Sequence, residues 1–232
     1  MTRCSTILLG LGLLARIGAA QETPLLKDQT EKLSYALGMD LGSQLKKQSV
    51  QIDPDIFVKG LKDSFAGGAT LLSETEARAA IAALQTELMK KQAEAMKTLG
   101  EKNRKEGEAF LAENRTRDGV VSLPSGLQYK ILKEGEGKKP TADDTVVCNY
   151  RGTLLDGTEF DSSFKRNQPA TFPVKGVIKG WTEALQLMPA GSKWQLFIPS
   201  ALAYGERGAA NLIGPNATLI FEVELISIQS KP

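Results

Sequence analysis

The sequence predicts an α+β protein: a helical N-terminal half, then an antiparallel sheet that covers one short helix. Three observations carry this. Apolar residues recur at helical spacing from about residue 28 to residue 99. After Gly119, prolines, glycines and β-branched residues become frequent and apolar residues alternate. Within that second texture only the stretch near 178–187 keeps a helical period.

The chain of 232 residues is long enough for one or two domains. Its net charge of +2 is too small for a concentrated basic face, so no nucleic-acid partner is expected. There is no histidine. This removes Ser-His-Asp and Cys-His nucleophilic chemistry and the commonest transition-metal ligand. With no Walker loop and no dinucleotide fingerprint either, neither metal nor cofactor is expected.

The first residues read as a secretory signal. Arg3 precedes an apolar run from Ile7 to Ala15, and the small residues Gly18-Ala19-Ala20 place cleavage after Ala20. A periplasmic or outer-membrane-associated location is therefore expected. Cys148 is then the only thiol left, so no internal disulfide can staple the fold. It shares one strand face with Val146 and Tyr150, which reads as a small buried side chain.

The helical half divides in three. From Asp28 to Gln48, Leu33, Leu37, Leu41 and Leu45 form one stripe, with Gly38 and Gly42 where a second backbone would come close. A second helix over 52–68 has Asp53 as N-cap, Pro54 in its first turn and Gly67-Gly68 at its end. These two helices are too small to bury their own apolar faces, and residues 21–71 are expected to need a partner. A long helix occupies 72–118, and Ser73 with Glu76 reads as its capping box. Its apolar stripe stops near Leu99, and the polar stretch from Gly100 to Glu108 is expected to cross solvent as a spacer.

Residues 119–232 form the sheet module. Strands are expected near 127–133, 145–155, 171–174, 193–199 and 217–228, with Asp156-Gly157 turning a hairpin. Tyr150, Phe160-Asp161, Val177-Ile178, Trp181, Tyr204 and Phe221 stand at positions that simple alternation does not explain. Trp181 is the most telling, since it lies at a helix mouth rather than inside a core element. If the short helix lies across the sheet, Trp181 becomes the floor of an apolar cavity with the others as walls.

The stretches YRGTLLDGTEFDSSF, VIKGWTEALQLMPAG, LAYGERG and NATLIFEVELISI, in order and with consistent spacing, resemble the FKBP-type peptidyl-prolyl cis-trans isomerases. The preceding helices and LPSGLQYKIL resemble the macrophage infectivity potentiator (Mip) branch of that family. The resemblance implies an FKBP-type sheet wrapped on one helix, and a V-shaped homodimer joined through the N-terminal helices. It implies an isomerase of proline-containing clients that assists folding of secreted proteins, and binding of macrolide FKBP inhibitors. A holdase chaperone or surface binding module with incidental isomerisation is the alternative.

Carried onto this chain, the family's pocket comprises Tyr150, Phe160, Val177, Trp181, Ile213 and Phe221. The Ile178 N–H would hold a substrate carbonyl, the Tyr204 hydroxyl would donate a second hydrogen bond, and Asp161 would sit beside the twisting amide. Departures fall at Ala170, where many members have an aromatic wall, at Ala209-Ala210 in place of His-Pro, and at Gly214-Pro215 in place of a double proline.

Overall fold

A computed structural model describes residues 26–209 and 212–229. The expected signal peptide lies outside the described residues. The chain divides into two compact units, residues 1–73 and 74–232.

The first unit holds α1 (Gln29–Lys47) and α2 (Pro54–Ala66). Asp28 caps α1 by accepting from the Glu31 N–H, and Asp53 caps α2 by accepting from Asp55 and Ile56. Gly67 ends α2 in the left-handed conformation at φ 64°. Neither helix buries a residue within the single chain. Leu33, Leu37, Phe57, Leu61 and Phe65 are all exposed, and nothing approaches the faces of Gly38 or Gly42 within 4 Å. None of the described helices is long and apolar enough to cross a membrane.

The second unit opens with α3 (Glu74–Asn114). Its C-terminal turns do not cross solvent as the composition predicts. Gly100, Gly107 and Asn114, spaced seven apart, are its buried residues, and they lie against the sheet module. A Cβ on Gly107 would fall 2.3 Å from Thr218 Oγ1, and one on Gly100 would fall 3.1 Å from Pro215 Cβ. The contact is made by backbone, so the charged side chains can point outward and the apolar period disappears. Asn114 donates to Gln128 at 2.8 Å, and Phe110 packs on Phe197 with ring centroids 5.8 Å apart.

The strands are β1 (Val120–Ser122), β2 (Gln128–Lys133), β3 (Thr145–Thr153), β4 (Glu159–Ser162), β5 (Ala170–Pro173), β6 (Lys193–Ile198) and β7 (Leu219–Gln229). They form one antiparallel sheet in the order β1-β2-β6-β7-β3-β4, with β5 paired to the first half of β3. The expected strands agree within one or two residues. The short β1 and β4 have too few residues for a period-2 signal to register.

The helix α4 (Lys179–Leu185) packs on the sheet through buried Trp181, Ala184 and Leu185. Val146, Leu196, Ile198, Leu219, Val223 and Leu225 meet it to form the core. Burying one such side chain contributes roughly 1.5–3 kcal/mol before entropy is counted.

Candidate active site

Trp181 lies in the first turn of α4 and is 3% exposed. Three rings meet it nearly edge-on: Tyr150 at 5.3 Å and 90°, Phe221 at 5.3 Å and 83°, and Phe172 at 5.7 Å and 78°. Edge-to-face contacts match the positive ring edge to the negative ring face, and the set holds the indole in one orientation. Phe160 extends the wall by packing on Phe221 at 5.4 Å and 83°.

The sheet register brings these rings together. Tyr150 on β3 pairs with Val223 of β7. Gly152, two residues on, pairs with Phe221 on one side and Asp161 of β4 on the other. A Cβ on Gly152 would lie 2.6 Å from Phe160 and 2.7 Å from Phe221, so the two rings close over bare backbone. A β-branched residue, otherwise well suited to a strand, has no room there.

The rings line a cleft of about 580 Å³, a size that suits a few residues of an extended peptide. All nine residues expected from the sequence line it: Tyr150, Phe160, Asp161, Val177, Ile178, Trp181, Tyr204, Ile213 and Phe221. Sequence reasoning missed Phe172 and Leu212. Phe172 lies two residues beyond Ala170 on the same strand face, so period-2 alternation was the available signal. Ala170 does not line the cleft, and Phe172 supplies an aromatic ring from the same strand.

Few polar groups reach this cleft. The Tyr150 hydroxyl donates to Asp161 Oδ2 at 2.5 Å. Arg166, also missed from the sequence, donates to Asp161 Oδ1 at 2.6 Å and to the Tyr150 hydroxyl at 2.7 Å. The Ser162 N–H adds a bond to Asp161 Oδ1 at 2.8 Å. Partial burial pushes the Asp161 carboxyl up, but these donors outweigh it and hold the group below its ordinary value of 3.8. Burial, reinforced by the Asp161 carboxylate, raises the Tyr150 phenol. Asp161 is thus an anion with its charge already engaged.

Ile178 immediately precedes α4, and its N–H finds no partner among the described residues. Tyr204 stands between two short 3-10 turns and is 40% exposed. Ala209 and Ile213 close a small loop by exchanging backbone hydrogen bonds at 2.8 and 3.1 Å. Cys148 is buried and does not line the cleft, and burial pushes its thiol up to about 12. It is an inert core group at neutral pH.

Nothing in this arrangement resembles machinery for breaking a bond. It combines an aromatic floor, a carboxylate with its charge engaged, the hydroxyls of Tyr150 and Tyr204 and the Ile178 N–H.

Two family models match the chain: the FKBP-type peptidyl-prolyl cis-trans isomerase over residues 136–226, and the domain amino terminal to FKBP-type peptidyl-prolyl isomerase over residues 30–131. The chain is 46% identical to the outer membrane protein MIP of Legionella longbeachae over 229 residues, covering 99% of this chain and 98% of that one. It is 45% identical to the peptidyl-prolyl cis-trans isomerase Mip of Coxiella burnetii over 231 residues, covering all of both chains. The crystal structure of FkpA from Escherichia coli superposes with a TM-score of 0.71 at 36% identity, covering 89% of this chain and all of that one. The chain belongs to the FKBP-type peptidyl-prolyl cis-trans isomerase family, in the company of its Mip and FkpA members, and is an isomerase of X-Pro peptide bonds.

Proposed function

We propose that the aromatic cleft is the site of isomerisation and that Trp181 is the platform on which the client's proline ring rests. The single observation that carries this is the edge-on packing of Tyr150, Phe172 and Phe221 around a buried Trp181 that faces a mostly apolar cleft.

The chemistry fits a site without nucleophiles. Amide resonance sets a rotation barrier of about 18–20 kcal/mol, and uncatalysed X-Pro isomerisation takes tens to hundreds of seconds. Water favours the planar, charge-separated amide. An apolar cleft that excludes water while gripping the ring favours the twisted state instead. Lowering the barrier by about 4 kcal/mol gives roughly a thousandfold. The free Ile178 N–H holds a client carbonyl, and the Tyr204 hydroxyl donates a second hydrogen bond. Phe160, Val177, Ile213 and Phe221 form the walls. Asp161, fixed by Tyr150 and Arg166, presents a rigid dipole beside the twisting bond.

The clients are proline-containing polypeptides of the cell envelope. The expected signal over residues 1–20 and the name of the Legionella relative support that location. Residues 21–71 form the dimerisation region and 72–118 the connecting helix. The apolar face of α1 left uncovered in the single chain supports this. Macrolide FKBP inhibitors occupy the same cleft. The exposed apolar residues of α1 and α2 also favour a second reading, in which the helical region holds unfolded chains and isomerisation accompanies it.

The test is refolding of a proline-limited protein with and without an FKBP-directed macrolide. Acceleration that the macrolide abolishes is expected. Acceleration insensitive to the macrolide would move the reaction out of this cleft.

A further inference from the structure

One wall of the cleft is carried by a segment that a helix outside the cleft holds in place. Leu212 and Ile213 line the cleft. Two residues after Ile213, the carbonyl of Pro215 accepts a hydrogen bond from Asn103 Nδ2 of α3 at 2.8 Å, across a gap of 112 positions in sequence. Asn216 returns a longer bond, from Nδ2 to the Gly100 carbonyl, at 3.4 Å. The pyrrolidine ring of Pro215 sits against Gly100, where the absent side chain lets the helix backbone come close. On its other side the segment is tied toward Tyr204, because the Asn216 N–H donates to the Gly205 carbonyl at 2.8 Å.

We propose that Asn103 is a positioning residue for the isomerase site: its amide fixes segment 212–216 on α3, and so fixes the Leu212–Ile213 wall against which the client packs. The proposal rests on the assignment of the cleft as the site of isomerisation.

The chemistry requires an anchor at this point. Gly214 has no side chain with which to lock the segment, and while Ile213 is buried in the core at the edge of the cleft, Leu212 lines the cleft without joining that core. Leu212 is 54% exposed, so burial alone does not hold it. A carbonyl such as that of Pro215, facing a helix, needs a donor, and α3 offers none from its backbone because its own N–H groups are bonded along the helix. A side-chain amide can donate to that carbonyl, whereas Asp, Glu or an aliphatic residue cannot. The interleaved charges around Asn103 serve solubility. Between Gly100 and Gly107, Asn103 is the one residue with a polar, uncharged side chain.

Because Leu212 and Ile213 touch the client in both planar and twisted states, loosening them weakens both equally. The effect falls on KM and spares kcat. This split separates a positioning role from a merely structural one, which would lower the melting temperature and leave both constants of the folded protein alone.

The experiment uses the full chain and a short prolyl peptide at substrate concentrations spanning KM. Asn103→Asp keeps the shape and sets an oxygen against the Pro215 carbonyl. It should raise KM about fivefold, the loss of one hydrogen bond, with kcat unchanged. Asn216→Gly tolerates the positive φ of 57° at that position and removes only the longer bond, so it should raise KM about twofold. It also serves if Asn103→Asp folds poorly. Arg104→Ala, on the exposed face one residue along, should match the parent. Unchanged KM in folded Asn103→Asp and Asn216→Gly, or a fall in kcat at constant KM, overturns the proposal. Phe160→Ala in the same assay reports on the cleft itself. If that variant retained full activity, the underlying assignment would fail, whatever the two asparagine variants did.

Discussion

Tyr150 and Asp161 are joined hydroxyl to carboxylate at 2.5 Å, and Arg166 closes the triangle by bonding both. The carboxylate that lines the cleft therefore accepts from three donors, the Tyr150 hydroxyl, Arg166 and the Ser162 N–H. A general base needs a carboxylate with proton affinity near the working pH, and these donors push Asp161 the other way. The triangle is a fixed electrostatic and steric frame.

The pH dependence follows. Catalysis should be flat from about pH 6 to 8, because there is no histidine and no proton is transferred. Asp161 has a depressed folded value, so the stability it contributes is present above the unfolded value and lost as pH falls through the folded one. Activity should hold through the ordinary carboxylate range and drop only below it, whereas the melting temperature should already begin to fall as pH drops through that range. Arg166→Leu removes one of the donors and should move that acid limb upward. A bell-shaped rate profile centred near neutrality would contradict the mechanism.

The walls and the rim should respond differently. Phe160→Ala opens the face over Gly152 and should lower kcat/KM by roughly tenfold to a hundredfold, equivalent to about 1.5–3 kcal/mol of apolar contact. Tyr204→Phe keeps the ring and loses one hydrogen bond, so it should cost several-fold to about tenfold. Peptide isomerisation on variants checked by circular dichroism measures both. Equal losses in the two variants would refute separate roles.

Association should depend on α1. Leu37→Glu with Leu41→Glu places charge on its uncovered stripe and should yield a monomer in analytical ultracentrifugation. Short-peptide isomerisation should stay within about twofold, since those side chains do not line the cleft. A double variant that still sedimented as a dimer would move the interface elsewhere.

Glycines in two helices make a controlled comparison. Gly60→Ala in α2 meets nothing within 4 Å and should stabilise by about 0.5–1 kcal/mol through helix propensity. Gly107→Ala gains the same propensity but drives a methyl into Thr218, and should destabilise by about 1–3 kcal/mol. Thermal melts of both decide whether α3 is held on the sheet as described. A stabilised Gly107→Ala would show that the contact is loose.

Cys148 should resist alkylation in the native protein at mildly alkaline pH, since burial pushes its thiol up to about 12. Labelling with iodoacetamide should appear only with unfolding, and rapid native labelling would mean that the sheet opens at β3.

Much of this protein was legible in the sequence because its signals are local. Asp53-Pro54 starts α2 and Gly67 ends it through backbone chemistry that needs no neighbour. The alternation of Val146, Cys148 and Tyr150 marks a buried strand face by period alone. The nine cleft residues were found through motifs whose spacing the family resemblance supplied, and the sheet register then brought them together. Three features needed the tertiary structure. Arg166 reaches Asp161 and Tyr150 only once β3 and β4 pair. Phe172 becomes a wall only when α4 sets Trp181 against β5. The packing of Gly100 and Gly107 on the sheet module leaves no apolar signature, because contact through bare backbone is written in the absence of side chains, and only the partner surface gives that absence a meaning.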